Sequence, residues 1–287
     1  MKLGLAYNIF NGDELLEDSL KRLRPLSDYI VLTYQTISNV GLVSKDILPS
    51  LNKIDPQLFD EIICFEPIFS LSPPINETNK RNLGLELCKQ NDCTHYMSID
   101  CDEFYRVEQF INAKNKIIKN NYESTACELV NYFHNASNQM IEHKQYVPFI
   151  TKITEINHEY RANFIVTIDP TRIVPNKNQF CFHKDFLLMH HMSCVRKDYN
   201  SMKSKLQNSP NKHMFKRHIH KYLYYFNNWI YPSPALNIHQ FKKGNVKKKN
   251  IVKIENPIYL STNYTPKKFG RWRMRFERFR LSNLTKR

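Results

Sequence analysis

Glycine is scarce in this chain: 6 residues in 287. None falls in a G-x-G-x-x-G or Walker-type run, so glycine loops that cradle phosphate are excluded, and a nucleotide, if bound, is held another way. The 7 cysteines, at 64, 88, 93, 101, 127, 181 and 194, are odd in number and contain no C-x-x-C pair. Neither a disulfide framework nor a zinc ribbon is indicated, and a reducing compartment is the simpler reading. Long apolar runs are missing too. The start, Met1 to Asn8, passes into polar sequence without a signal-peptide core, and nowhere do the ~20 apolar residues of a membrane span occur. The expectation is a cytoplasmic protein, soluble or attached peripherally at the cytoplasmic membrane face.

What is present describes a folded enzyme-sized chain. Hydrophobic residues at 41% and aromatics at 13% exclude disorder, and the length suits one large α/β domain or two small ones. The net charge of +15 concentrates late, in Lys242–Lys249 and in Lys267–Arg280. Such a tail seeks an anionic surface.

Hydrophobic periodicity gives a β-α series over the first hundred residues. Strands are expected at Leu3–Phe10, Tyr29–Tyr34, Glu61–Phe65 and His95–Ile99, and helices at Asp13–Leu23 and Glu77–Gln90. Further strands are expected at Glu128–Phe133, Tyr146–Thr154, Asn163–Ile168 and Phe186–His191, and helices within Lys197–Lys221. Alternation of this kind implies a mainly parallel sheet covered by helices, which binds ligands outside the carboxyl ends of its strands. That rule selects Asn8, Gln35 and the run Asp100-Cys-Asp-Glu103 for one rim. Two carboxylates spaced D-x-D offer hard oxygens which, with phosphate oxygens, suit Mg²⁺ or Mn²⁺.

These residues resemble a known family. Tyr7-Asn8, Tyr34-Gln35 followed by Ser38-Asn39, Lys80-Arg81-Asn82-Leu83-Gly84-Leu85 and His95-Tyr-Met-Ser-Ile-Asp100-Cys-Asp-Glu-Phe104 look like a GT-A type glycosyltransferase of the broad family-2-like group. A second block, His190 to Tyr199, looks like the closing segment of some members. The resemblance implies a Rossmann-like catalytic domain over residues 1–240, with a helical, basic C-terminal region and a basic extension over 241–287. It implies transfer of a sugar from a nucleotide-sugar, a UDP-sugar first, to a saccharide or lipid-linked glycan.

By that resemblance Mn²⁺ or Mg²⁺ bridges Asp100 and Asp102 to the donor diphosphate, Asp102 being the principal ligand and Glu103 a helper. Tyr7, Asn8, Gln35, Arg81, Asp100, Arg196 and Lys197 would contact the nucleotide-sugar. His190 or His191 would complete the metal sphere, and neighbours on a strand point to opposite faces, so one of them at most shares the site. An inverting transfer needs a carboxylate base, and Glu155, Asp169 and Asp185 occupy the right interval, with Asp185 preferred.

Two other classes fit parts of the sequence. A metal-dependent phosphoesterase or nuclease accounts for the acidic cluster, the histidines and the charge, although the basic residues lie far along the chain from the D-x-D, which makes nucleic acid a poor partner. A binding module would use Cys181, His183, His190, His191 and Cys194 for zinc, at spacings unlike a standard finger. In the tail, Phe269, Trp272, Phe276 and Phe279 form one stripe if helical, which would suit insertion at an anionic membrane surface, while Arg271–Phe276 alternates equally well as a strand, and periodicity does not choose between them.

Overall fold

The computed structural model describes residues 1–10, 12–44, 47–209, 218–242 and 245–261. The chain is a mixed α/β protein whose central, mostly parallel sheet is flanked by helices. It divides into two compact units, Met1–Val130 with His143–His191, and Asn131–Glu142 with Met192–Arg287.

The first unit opens with β1 (Leu3–Ile9), α1 (Asp13–Leu23) and β2 (Tyr29–Tyr34). Short α2 (Ile47–Leu51) and β3 (Glu61–Cys64) precede α3 (Pro73–Gln90), β4 (His95–Asp100), β5 (Glu103–Phe104) and α4 (Val107–Asn120). In the sheet β3, β2, β1 and β4 lie side by side and parallel. β6 (Ser124–Phe133) enters the second unit, where β7 (Asn135–Met140) follows, and β8 (Gln145–Lys152) returns antiparallel to both β4 and β6. β9 (Gln179–Phe182) runs parallel to β6, and β10 (Leu188–Cys194) runs antiparallel to β5.

Burial explains these elements. Leu3, Leu5, Tyr7 and Ile9 alternate onto the α1 face, where Leu16, Leu20 and Leu23 meet them in the main core. On the other face Ala6 and Val31 pack beneath α3 with Leu85 and Cys88. Helix α3 approaches closely because Gly84 has no side chain: a Cβ there would stand 2.5 Å from Ala6 Cβ. Gly84→Ala is therefore expected to push α3 off the sheet and cost about 1–3 kcal/mol in chemical denaturation.

Some boundaries differ from expectation. α3 begins at Pro73, four residues before Glu77, because proline is well placed at a helix start. Asn163–Ile168 is irregular: Phe164 and Val166 pack towards Ala126, Ile168 and Ile173 without joining a ladder. α4 was not foreseen, although Phe110, Ala113 and Ile117 carry a helical stripe into the core.

In the second unit α5 (Tyr199–Asn208) and α6 (Ile219–Asn228) gather Met202, Leu206, Leu223 and Phe226 around Phe133 and Met140. The hairpin β11 (Ala235–Lys242) and β12 (Asn245–Lys249) takes up the first basic run, and β13 (Ile251–Lys253) pairs with β7. The expected stripe at Phe269–Arg280 lies outside the described residues. No described helix is long and apolar enough to cross a membrane.

Candidate functional site

Parallel pairing in the first unit sets Asn8 of β1 directly opposite Asp100 of β4 on one side and Thr33 of β2 on the other. The polar residues chosen from separate strand ends thus share one rim. Helix α3 joins them: Glu77 and Arg81, four apart, face the same way. Glu77 accepts from Asn8 Nδ2, from Asn39 Nδ2 at 2.9 Å and from Arg81 at 3.1 Å. Arg81 also donates to Ser98 Oγ at 2.6 Å and to Asp100 Oδ1 at 3.2 Å.

Burial opposes ionisation of Asp100, but Arg81 and Arg172 outweigh it and hold this carboxyl below its ordinary pKa. The same pairing, against desolvation, raises Arg81. Both groups are charged at neutral pH.

Lys80 sits beneath the rim. Its Nζ donates to the Ile9 carbonyl and to Gln35 Oε1, both at 2.9 Å, and Gln35 Nε2 passes the chain on to Asn39 at 2.8 Å. Desolvation pushes the Lys80 pKa down to about 8 despite the pull of Glu77 and Asp100. In an unfolded chain the group keeps the ordinary value of ~10.4, so between these pH values the unfolded state binds more protons and stability rises with pH. The difference in unfolding free energy between wild type and Lys80→Met should change by about 3 kcal/mol, in favour of wild type, from pH 7 to pH 10.5. Parallel denaturation curves at the two pH values check this.

A second arginine arrives from the irregular segment after β8. Arg172 grips Glu103 with two donors at 2.5 and 2.9 Å and gives a third bond to the Ser98 carbonyl at 2.9 Å. Both members are almost fully buried. Desolvation would lower Arg172, yet Glu103 and Asp100 raise it well above the ordinary value. Glu103 Oε2 also accepts from the Asp100 backbone at 3.3 Å, which ties the D-x-D turn to this pair. Asp169, exposed, adds its field to both arginines and uses Oδ1 to accept from Thr171. His158, buried beside Tyr96, is driven down to about 3 by desolvation and by Arg81 and Arg172, and is neutral.

Asp102 ends the motif, and His191 Nε2 lies 3.6 Å from its Oδ1. In the β5–β10 register His191 stands opposite Glu103, next to Asp102, and His190 opposite the buried Phe104. His190 turns inward, where desolvation and then Arg106 and Arg22 push it down to about 3. Among the described residues no group of three or more His, Cys, Asp or Glu side chains is gathered to hold a metal ion by itself.

The other expected residues divide clearly. Tyr7 is buried in the core with its hydroxyl 2.9 Å from Ser19 Oγ, because alternation turns it to the face opposite Asn8. Gln35 is 1% exposed and positions Lys80 and Asn39. Arg196 is buried in the second unit, where its Nε donates to the Ser193 carbonyl, and exposed Lys197 follows it there. Asp185, preferred as base, stands in solvent paired with His183 at 3.1 Å, and exposed Glu155 joins none of the contacts above. Cys194 Sγ meets Tyr222 OH at 3.3 Å. Glu77, Arg172 and His158 were not foreseen; for Glu77 the i,i+4 spacing to Arg81 was the available signal.

No family model matches the chain, and no curated protein does. Among solved structures it is similar to S. aureus TarS 1–349, at 13% identity over 79% of this chain and 71% of that one, with a TM-score of 0.44. The same TarS fragment in complex with UDP-GlcNAc gives 13%, 79%, 72% and 0.43. Mannose-1-phosphate geranyltransferase from Thermus thermophilus gives 14% identity over 54% of this chain and 51% of that one, with a TM-score of 0.31. Likenesses this distant establish neither activity nor substrate.

Proposed function

We propose that the first unit is a glycosyltransferase that binds the diphosphate of a nucleotide-sugar, a UDP-sugar first, at the rim formed by β1, β2 and β4. The observation that carries this is the Asp102–His191 pair at the carboxyl edge of parallel strands, backed by two buried arginines that fix Asp100 and Glu103. Edges of this kind are where α/β sheets take ligands.

The donor set fits a divalent cation. Five carboxylates (Glu77, Asp100, Asp102, Glu103, Asp169) are linked by bonds or electrostatic reach to three cations (Lys80, Arg81, Arg172), leaving a formal −2. A carboxylate oxygen suits Mn²⁺ or Mg²⁺, the imidazole nitrogen beside it favours Mn²⁺, the softer of the two, and diphosphate oxygens and water would fill the other positions. Asp102 and His191 would hold the ion, and Asp100, engaged by Arg81, would orient the motif. When bound, the ion supplies Lewis-acid stabilisation of the charge that builds on the departing diphosphate.

The residues of the chain do the remaining work. Arg81 and Arg172 keep Asp100 and Glu103 ionised and fixed, so the rim needs little rearrangement as the donor binds. Asp169, exposed beside the two arginines, is the carboxylate best placed to take the proton of an acceptor hydroxyl. It replaces Asp185 in that role. The metal-dependent phosphoesterase or nuclease has no observation in its favour.

A screen of nucleotide-sugars for thermal stabilisation and for sugar release, with and without Mn²⁺, tests the proposal. One donor is expected to stabilise the protein in a Mn²⁺-dependent way. Asp169→Asn should keep that stabilisation while transfer falls by about 10²–10⁴. Absence of any nucleotide-sugar response would overturn it.

A further inference from the structure

Charge divides along the chain near the boundary of the two units. Residues 1–191 hold 19 Lys and Arg against 24 Asp and Glu, whereas residues 192–287 hold 23 against 3, so a formal −5 is followed by +20. In the second unit Lys249 is neutralised by Glu142 at 3.4 Å, but Lys197, Lys221, Lys248 and Lys253 are exposed.

Apolar groups stand exposed in the same unit. Ile230 and Tyr231 occupy a tight turn closed by the Ser233 N–H to Ile230 carbonyl bond at 2.9 Å. Buried Trp229 anchors that turn through Nε1 to the Ser233 carbonyl at 2.8 Å. These bonds define the turn, at whose tip Ile230 is 59% exposed. Lys253 Nζ lies 4.7 Å from the Tyr231 ring, which sets a cation against the turn. Tyr259, 78% exposed, belongs to the same unit.

We infer that the second unit seats on an anionic lipid bilayer, Ile230 and Tyr231 entering the headgroup boundary while the lysines meet lipid phosphates. The aliphatic side chain decides between polyanions. Ile230 neither stacks on a base nor bonds a phosphodiester, and gains only by leaving water. Tyrosine suits the interface, where its ring is sheltered and its hydroxyl stays wet. Basic residues near an anionic leaflet add attraction that falls off within a Debye length. The inference does not rest on the functional reading of the first unit.

Co-sedimentation of the full chain with vesicles tests it. Binding is expected to mixed phosphatidylglycerol–phosphatidylcholine vesicles, to weaken as salt rises, and to be absent with phosphatidylcholine alone. Ile230→Ser with Tyr231→Ser should lower the partition coefficient roughly tenfold. Lys248→Glu with Lys253→Glu should lower it by about tenfold or more. Unchanged thermal melting shows that these surface variants fold. Two results would overturn the inference: no sedimentation of the wild type with the mixed vesicles, or binding that soluble polyphosphate abolishes and the serine variant leaves intact, which would assign a soluble polyanion instead.

Discussion

Arg172→Met is expected to destabilise the first unit by about 3–5 kcal/mol, because it strands a carboxylate that the fold has already taken out of water. Glu103 is 2% exposed, and its two oxygens accept from Arg172 and from the Asp100 backbone. Methionine fills much of the arginine volume, so the loss is electrostatic more than a cavity. The Ser98 carbonyl also loses a donor. At roughly 2–4 °C per kcal/mol for a unit of this size, the melting temperature should fall by about 10 °C.

The pH dependence of that deficit separates charge from packing. Desolvation holds the Glu103 pKa above its ordinary value even with Arg172 beside it. Without the arginine the carboxyl is more readily protonated, and a group with a raised folded pKa stabilises below its unfolded value and loses that contribution as pH rises. The deficit should therefore shrink as pH falls from 7 towards about 5. Arg172→Met combined with Glu103→Leu should recover most of the stability, since a buried ion pair replaced by apolar groups is often neutral. A deficit independent of pH would place the effect in packing.

Asp102→Ala should have the largest effect on chemistry and little on stability. Asp102 is 6% exposed beside Asp100, whose ionisation it opposes, so its removal relieves repulsion in the folded state. Stability is expected to hold or rise slightly, as befits a site kept for function. On the proposed function, transfer is expected to fall by about three orders of magnitude, ~4 kcal/mol of transition-state stabilisation, because the cation proposed to meet the leaving diphosphate would lose its carboxylate ligand. His191→Ala should follow in the same direction with a smaller loss. Initial rates at saturating donor, compared with thermal melts of the same preparations, check both parts.

Legibility in the sequence followed the range of the contacts. The limits of α1 and β2 were read correctly because their residues repeat at 3.6 and 2, and burial on one face enforces each period. Placing Asn8 on the rim of Asp100 needed only the rule that parallel strands end together, although their adjacency came from the structure. Arg172 obeyed no such rule. It reaches Ser98 from 74 residues away, on irregular backbone whose path no periodicity encodes. Among the three candidate bases, order in the chain alone preferred Asp185, whereas the loop that delivers Arg172 also brings Asp169 within electrostatic reach of the arginines. His191 was separable from His190 once β10 was paired with β5, since a strand turns only alternate side chains to one face.

Isothermal titration of UDP into the full chain tests the central claim most directly, run with Mn²⁺, with a chelator, and with the Asp102→Ala variant. Binding that requires Mn²⁺ and is lost in the variant is the predicted result. UDP affinity that is equal with the chelator and in the variant would contradict a diphosphate-metal site at Asp102.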